Sequence, residues 1–183
     1  MELKASQAER TVWTIGHSNH PLETFLDLLE QHQITLLVDV RSSPYSRHAS
    51  QFNKEAIQQP LQARAVEYLF LGDLLGGIPS GGRGNAPPSR REDMEMPSRT
   101  AEQEGGQFYD RQGYVLYDRL AQSPAFQQGV QRLLGEVGAS RVALMCGEED
   151  PTDCHRRLLV GRQGYAATDH GRAAYKPPAD HAE

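Results

Sequence analysis

The chain has 183 residues, a length typical of a single domain that buries enough apolar surface to fold without disulfides or a structural metal. Its 19 Lys and Arg residues against 24 Asp and Glu residues give a net charge of −5, which excludes a general attraction to polyanions. Two cysteines are too few for a disulfide-rich secreted scaffold, and without a membrane-length apolar run or a signal-like start we expect a cytoplasmic protein with no membrane partner.

In chain order, the apolar pattern predicts four strands that alternate with helices. Short apolar, β-branched runs predict the strands at residues 11–16, 34–40, 66–71 and 141–146. Helical spacing predicts helices from Pro21, over about 53–65, over 124–137 and from Asp153 to Arg162, with a break at Pro60. This alternation predicts an α/β fold, a single compact domain with a mostly parallel sheet and helices on both faces.

Composition sets the limits of this domain. The alternating elements span residues 11–162, whereas residues 1–10 are polar and we expect them to be flexible. Residues 79–107 contain no Leu, Ile, Val, Phe, Trp or Tyr, so they are predicted to form a long polar, mobile loop. No Leu, Ile, Val, Phe or Met occurs after Val160, and residues 163–183 are predicted to be a disordered tail.

Polar residues gather at the ends of the predicted strands. In an open parallel sheet, ligands bind beyond the carboxyl ends of the strands, where the loops converge. The sequence therefore predicts one crevice supplied by all four strand ends, the third of which is Leu71–Asp73 with Gly76 and Gly77. The candidate site residues come from the other three: His17 and Ser18; Asp39, Arg41, Ser46 and Arg47; and Cys146, Glu148, Cys154, His155 and Arg156.

The fourth strand is followed by two cysteines. Cys154 is predicted in the first turn of a helix capped by Thr152 or Asp153, beside His155 and Arg156, and these surroundings favour a lowered pKa and a reactive thiol. The alternative is a thiol that is simply packed in the core.

A zinc site is a further alternative for these thiols. It would consist of Cys146, Cys154, His155 and His17, although their spacing matches no known zinc pattern.

The polar residues after the first two strands have two interpretations each. Asp39 lies within an apolar strand and needs a partner, which Arg41 or Arg47 can provide as a structural ion pair. The same two arginines, with the serines between them, can instead hold a phosphate or carboxylate. His17 is either a general acid or base near neutral pH or a hydrogen-bonded structural residue.

The motifs together resemble domain-of-unknown-function family 488 over about residues 11–160. They are Thr14–Ser18, Leu37–Arg41 with Pro44, Ser46 and Arg47, Leu71–Asp73 with Gly76 and Gly77, Ala143–Glu148 with Asp150 and Pro151, and the CHR motif Cys154–Arg156. The resemblance implies a compact α/β domain whose signature is this set of polar residues. It does not point to one settled activity. Family members usually continue from the last helix into a final hydrophobic strand, which the sequence after Gly161 lacks; a frameshift-like change is one explanation.

Three functions are compatible with these residues. The first is a hydrolase or transferase for a nucleotide-like or phosphate-bearing anion, with unknown cofactors and no metal. Its catalytic residues would be His17, Cys146, Glu148, Cys154 and His155, and its substrate-binding residues Ser18, Asp39, Arg41, Ser46, Arg47 and Arg156. The second is a non-catalytic nucleic-acid-binding or regulatory module that binds backbone phosphate. The third is a thiol redox or metal-binding protein.

Overall fold

The computed structural model describes residues 11–78, 106–111, 114–137, 139–152 and 154–161. Residues 1–10, most of the predicted loop (79–105) and the tail 163–183 lie outside these ranges, so their predicted flexibility stays a prediction. Two residues assigned to the loop are described, and they begin a 3-10 turn, Gly106–Phe108.

A parallel sheet of four strands forms the centre of the fold. The strands are β1 (Val12–Gly16), β2 (Leu36–Asp39), β3 (Glu67–Phe70) and β4 (Val142–Cys146), which confirms the four predicted strands with slightly shorter ends. Their order is β1-β4-β2-β3, so β4 lies between β1 and β2. In the register, Gly16 is opposite Cys146 and Asp39 is opposite Met145, which brings three strand ends to the same level.

Helices cover both faces of the sheet, as the apolar pattern predicted. One face packs against α1 (Leu22–Gln31) and α2 (Lys54–Ala63). The other packs against α3 (Gly72–Leu75), α4 (Tyr117–Ala121) and α5 (Pro124–Val137). Two of these, α3 and α4, were not predicted because they are too short to show helical periodicity.

Alternate residues along the strands supply the two halves of the core. Leu37 and Met145 pack with Phe25 and other residues of α1 and α2. Val38 and Leu144, their neighbours in the chain, point to the opposite face and pack with the α5 side. This alternation follows from the two-residue period of a strand, and it makes the chain a single compact α/β domain.

The predicted break at Pro60 is wrong, because α2 continues through this residue. A proline inside a helix removes one backbone hydrogen bond and costs about 3 kcal/mol relative to alanine. Ile57 and Leu61, on either side of Pro60, are completely buried against the sheet. Burial of two such side chains contributes about 1.5–3 kcal/mol each, which offsets the loss.

The last helix begins later than predicted. After His155 the chain forms a π-helical segment, Arg156–Gly161, in which the N–H groups of Arg157 and Leu158 both donate to the carbonyl of Cys154. The Thr152 hydroxyl donates to Asp150 and accepts no hydrogen bond from a described backbone N–H, and Asp153, the other predicted cap, lies outside the described residues. Within the described ranges, no helix combines the length and the apolar character needed to cross a membrane.

Candidate active site

His17 lies directly after β1 and is buried, with 4 % of its surface exposed. Its Nδ1 donates to the carbonyl of Ser18 at 2.8 Å, and its Nε2 accepts from Nη1 of Arg41 at 3.0 Å. Since a carbonyl only accepts and a guanidinium only donates, these contacts define a neutral imidazole protonated on Nδ1. Burial, and then the charge of Arg41, lower the pKa of His17 below its usual 6.5.

Asp39, at the end of β2, is completely buried and paired with Arg41. Nε of Arg41 donates to Oδ1 at 2.9 Å and Nη2 donates to Oδ2 at 2.6 Å, while the Tyr68 hydroxyl donates to Oδ2 at 2.7 Å. Nη2 also donates to the carbonyl of Phe52 at 2.8 Å. Arg41 therefore uses most of its N–H groups inside the protein, which supports the structural alternative; anion binding by Arg41 stays a prediction.

The remaining predicted residues of this loop have different surroundings. The hydroxyl of Ser46 accepts hydrogen bonds from the backbone N–H groups of His48 and Ala49, both at 3.2 Å, so it shapes the loop. Arg47 is exposed and makes no hydrogen bond or ion pair with the described residues. Of the two arginines predicted to hold an anion, Arg47 is therefore the one that is exposed to solvent.

Two thiols and one imidazole meet where β4 ends and the π-helical segment begins. Nδ1 of His155 lies 3.7 Å from Sγ of Cys146 and 3.9 Å from Sγ of Cys154. Nε2 of His155 donates to the carbonyl of Val40 at 2.8 Å. In a neutral His155, Nδ1 therefore directs its lone pair towards both sulfurs, which is the arrangement of a base beside a nucleophilic thiol.

The contact between the two thiols shifts their pKa values in opposite directions. Interaction with the Cys154 thiol, and then with His155, lowers the pKa of Cys146 against the opposing effect of burial. The hydrogen bond with Cys146, and then burial, raise the pKa of Cys154. These directions are opposite to the predicted lowered pKa of Cys154, whose 1 % exposure agrees with the packed-thiol alternative; which of the two thiols is reactive stays a prediction.

Arg156 holds the loop that follows Cys146. Its side chain is 1 % exposed and donates to the backbone carbonyls of Glu148, through Nη1, and Glu149, through Nη2. Its Nε has no hydrogen-bond partner, and no carboxylate of the described residues pairs with it. A buried cation without a carboxylate favours a negative charge nearby, and the contacts with Arg156 act to lower the pKa of Cys154 against the larger effects that raise it.

The contribution of Glu148 is made by its backbone. Its carbonyl is turned inward to Arg156, while the residue as a whole is exposed. The neighbouring Glu149 is exposed as well, and its carboxylate lies 3.1 Å from Nε2 of His20. A catalytic role for the Glu148 carboxylate stays a prediction.

Sequence reasoning missed the contacts made by backbone and by strand neighbours. Phe52 stacks on the ring of His17, with centroids 4.6 Å apart, and Tyr68 completes the bonding of Asp39. Gly77 covers His155, since a Cβ at this position would lie 2.6 Å from Cγ of the ring. The available signals were a tyrosine in a strand, whose hydroxyl needs a partner when buried, and paired glycines after a strand.

The cluster also has the donors of a metal site. The ligand atoms of Cys146, Cys154 and His155 lie within 4.8 Å of one another, close enough to share one ion. His17, the fourth residue of the zinc hypothesis, is not among them. Three of the four residues are thus together, and the metal-binding alternative is compatible with their positions.

Comparison with known proteins identifies one family. The model of the family described as Domain of unknown function DUF488 matches residues 21–162. No curated protein and no solved structure matches the chain. The match contains Asp39, Arg41 and the Cys146 cluster, and it covers well over half of the chain. The chain therefore belongs to the DUF488 family, as its motifs indicated.

Proposed function

We propose that this protein is a thiol-dependent hydrolase or transferase in which Cys146 is the nucleophile and His155 its proton-transfer partner. The observation that carries the proposal is the 3.7 Å approach of Nδ1 of His155 to Sγ of Cys146, with Nε2 of the same ring fixed on Val40. A ring anchored at one nitrogen presents the other to the sulfur in a constant orientation. This geometry is required for a histidine to activate a thiol.

The chemistry proceeds in two steps. Nδ1 of His155 takes the proton of the Cys146 thiol, and the thiolate attacks the electrophilic atom of the substrate. An S–acyl or S–phosphoryl bond forms as the bond to the leaving group breaks, and the leaving group departs with the proton from Nδ1. Nδ1 then takes a proton from water, which attacks the covalent intermediate, releases the product and restores the thiolate. General acid–base assistance of this kind contributes about 10²–10⁴-fold to the rate.

The surroundings of Cys146 limit the substrate to a slender group. Only 6 % of Cys146 is exposed, which favours a small reacting group. The exposed Arg47 follows β2 at the same edge of the sheet, and it is the candidate for binding a phosphate or carboxylate on the substrate. Arg156 is contacted by the backbone carbonyls of Glu148 and Glu149 rather than by their carboxylates. This arrangement reduces the repulsion between these two residues and an anionic group of the substrate.

The test uses two chromogenic esters, p-nitrophenyl phosphate and p-nitrophenyl acetate, with intact-mass detection of the covalent intermediate. We expect release of p-nitrophenolate and a mass adduct on Cys146, both lost in Cys146→Ser. Arg47→Gln is the matched control, and it should raise KM for the phosphate ester while kcat for the acetate ester is unchanged. Turnover by Cys146→Ser at the wild-type rate would overturn the proposal, as would the absence of any adduct with either ester.

Metal content of the same sample separates the nucleophile from the metal-binding alternative. The proposal requires that Cys146 reacts with an alkylating reagent at the same rate before and after treatment with a chelator. One equivalent of zinc per chain, together with protection of Cys146 until the metal is removed, would contradict the nucleophile and favour a Cys2His metal centre.

A further inference from the structure

The mechanism above leaves one buried reactive group without a chemical task, the Cys154 thiol. Its sulfur lies within 4.8 Å of both Sγ of Cys146 and Nδ1 of His155, and the two cysteines are free rather than bonded. Only 1 % of Cys154 is exposed. A protonated thiol beside a thiolate, with one imidazole in contact with both, is the constellation in which an oxidised first sulfur is captured by the second.

We propose that Cys146 and Cys154 form a reversible disulfide when a hydroperoxide oxidises Cys146, with Cys154 as the resolving thiol. The inference rests on the same Cys146 thiolate as the proposed function. It adds a second class of reactant for the site and a second state of the protein, in which the nucleophile is blocked.

The oxidation is a two-electron reaction. The Cys146 thiolate attacks one peroxide oxygen, an S–O bond forms, the O–O bond breaks, and the departing alkoxide or hydroxide takes the proton from Nδ1 of His155. The product is a sulfenic acid on Cys146. In this step the sulfur is oxidised and the peroxide is reduced to an alcohol or to water.

Resolution uses the other sulfur and the same imidazole. Nδ1 of His155 accepts the proton of Cys154, whose sulfur attacks Sγ of Cys146. The S–S bond forms as the S–O bond breaks, and the hydroxide leaves as water with that proton. An external dithiol reverses the reaction by exchange and is itself oxidised to a disulfide.

Position and burial favour this course over other reactions of the thiolate. The two sulfurs lie within 4.8 Å of each other and must approach to about 2.0 Å for the disulfide to form. Because only 6 % of Cys146 is exposed, a molecule as small as hydrogen peroxide is favoured over a protein disulfide as the oxidant. With Cys154 in contact, the sulfenic acid meets a thiol before it meets a second peroxide.

The experiment treats the full-length protein with hydrogen peroxide and analyses the tryptic peptide from Val142 to Arg156. Both cysteines of the chain lie in this peptide, so an internal disulfide lowers its mass by the two thiol hydrogens, and fragment ions separate this change from oxidation of Met145. We expect complete loss of both free thiols, a monomer on a non-reducing gel, and full recovery with dithiothreitol.

Single variants identify the two roles. In Cys154→Ser the sulfenic acid on Cys146 has no resolving thiol, so dimedone should label it at least about tenfold more than in the wild type. Cys146→Ser should give no disulfide and no dimedone adduct. Sulfinic acid on Cys146 of the wild type without the lighter peptide would overturn the inference, as would a disulfide that forms only between chains.

The outcome is distinguishable from that of the proposed function. Adduct formation and ester turnover at Cys146, in a protein that never forms the disulfide, would overturn only this inference. A disulfide that forms readily in a protein without any ester adduct would overturn only the proposed hydrolase or transferase activity.

Discussion

Nδ1 of His155 is 3.7 Å from Sγ of Cys146, and the Val40 carbonyl fixes the other side of the ring at 2.8 Å. Val40 is the residue after β2 and Cys146 is the last residue of β4, which are neighbouring strands in the sheet. The two strands thus determine together where the imidazole lies. This relationship holds one imidazole nitrogen beside the Cys146 sulfur, and the proposed nucleophile rests on it.

Exchange of Cys154 for two different residues tests how that thiolate is stabilised. The Cys154 thiol is the largest contribution to the lowered pKa of Cys146, so Cys154→Ala should raise that pKa towards the ordinary thiol value of about 8.5. Cys154→Ser keeps an O–H donor and should raise it less. The alkylation rate of Cys146 measured against pH gives both values. Equal profiles for the two variants would mean that the neighbouring donor has no effect.

Arg41 and Arg47 should differ sharply in their effect on stability. Arg41→Gln leaves the Asp39 carboxylate buried without its cation, and we expect the free energy of unfolding to fall by about 3–5 kcal/mol. Arg47→Gln changes an exposed side chain and should stay within about 0.5 kcal/mol of the wild type. Urea unfolding measures both, and a small effect of Arg41→Gln would show that the ion pair is not structural.

His17 should make the protein less stable in mild acid. Because its pKa in the folded protein is below the unfolded value of about 6.5, the unfolded chain binds more protons as the pH decreases through this range. The contribution of His17 is complete above about pH 6.5 and is lost as the pH falls towards the folded pKa.

The measurement is the difference in unfolding free energy between the wild type and His17→Asn, followed from about pH 7.5 to about pH 5. We expect this difference to shrink as the pH decreases. The other histidines are present in both proteins, so their effects cancel in the difference. A constant difference would assign the pH dependence to other groups.

Much of the site was predictable because it depends on strands and their ends. Continuous apolar runs located β2 and β4, and the parallel arrangement then placed Asp39, His17 and Cys146 at one edge. The sequence also showed that a carboxylate within β2 needs an arginine, although it did not decide between a structural pair and anion binding.

The identity of the ionised cysteine was not predictable. The lowered pKa of Cys146 comes first from its contact with Cys154 and then from His155, whose ring is held by a hydrogen bond to a residue 115 positions away. Local sequence suggested Cys154, beside a histidine and an arginine at a helix start. The structure shows that the helix begins later, with Arg156 directed to the carbonyls of Glu148 and Glu149.

The most direct test of the account is the rate of iodoacetamide alkylation at each cysteine, resolved by fragment ions, in the wild type and His155→Gln from about pH 5 to about pH 9. We predict that wild-type Cys146 reacts rapidly even at the acid end while Cys154 reacts slowly throughout, and that His155→Gln slows Cys146 about tenfold near pH 7. Slow labelling of both cysteines, with the pH dependence of an ordinary thiol and no change in His155→Gln, would contradict the account.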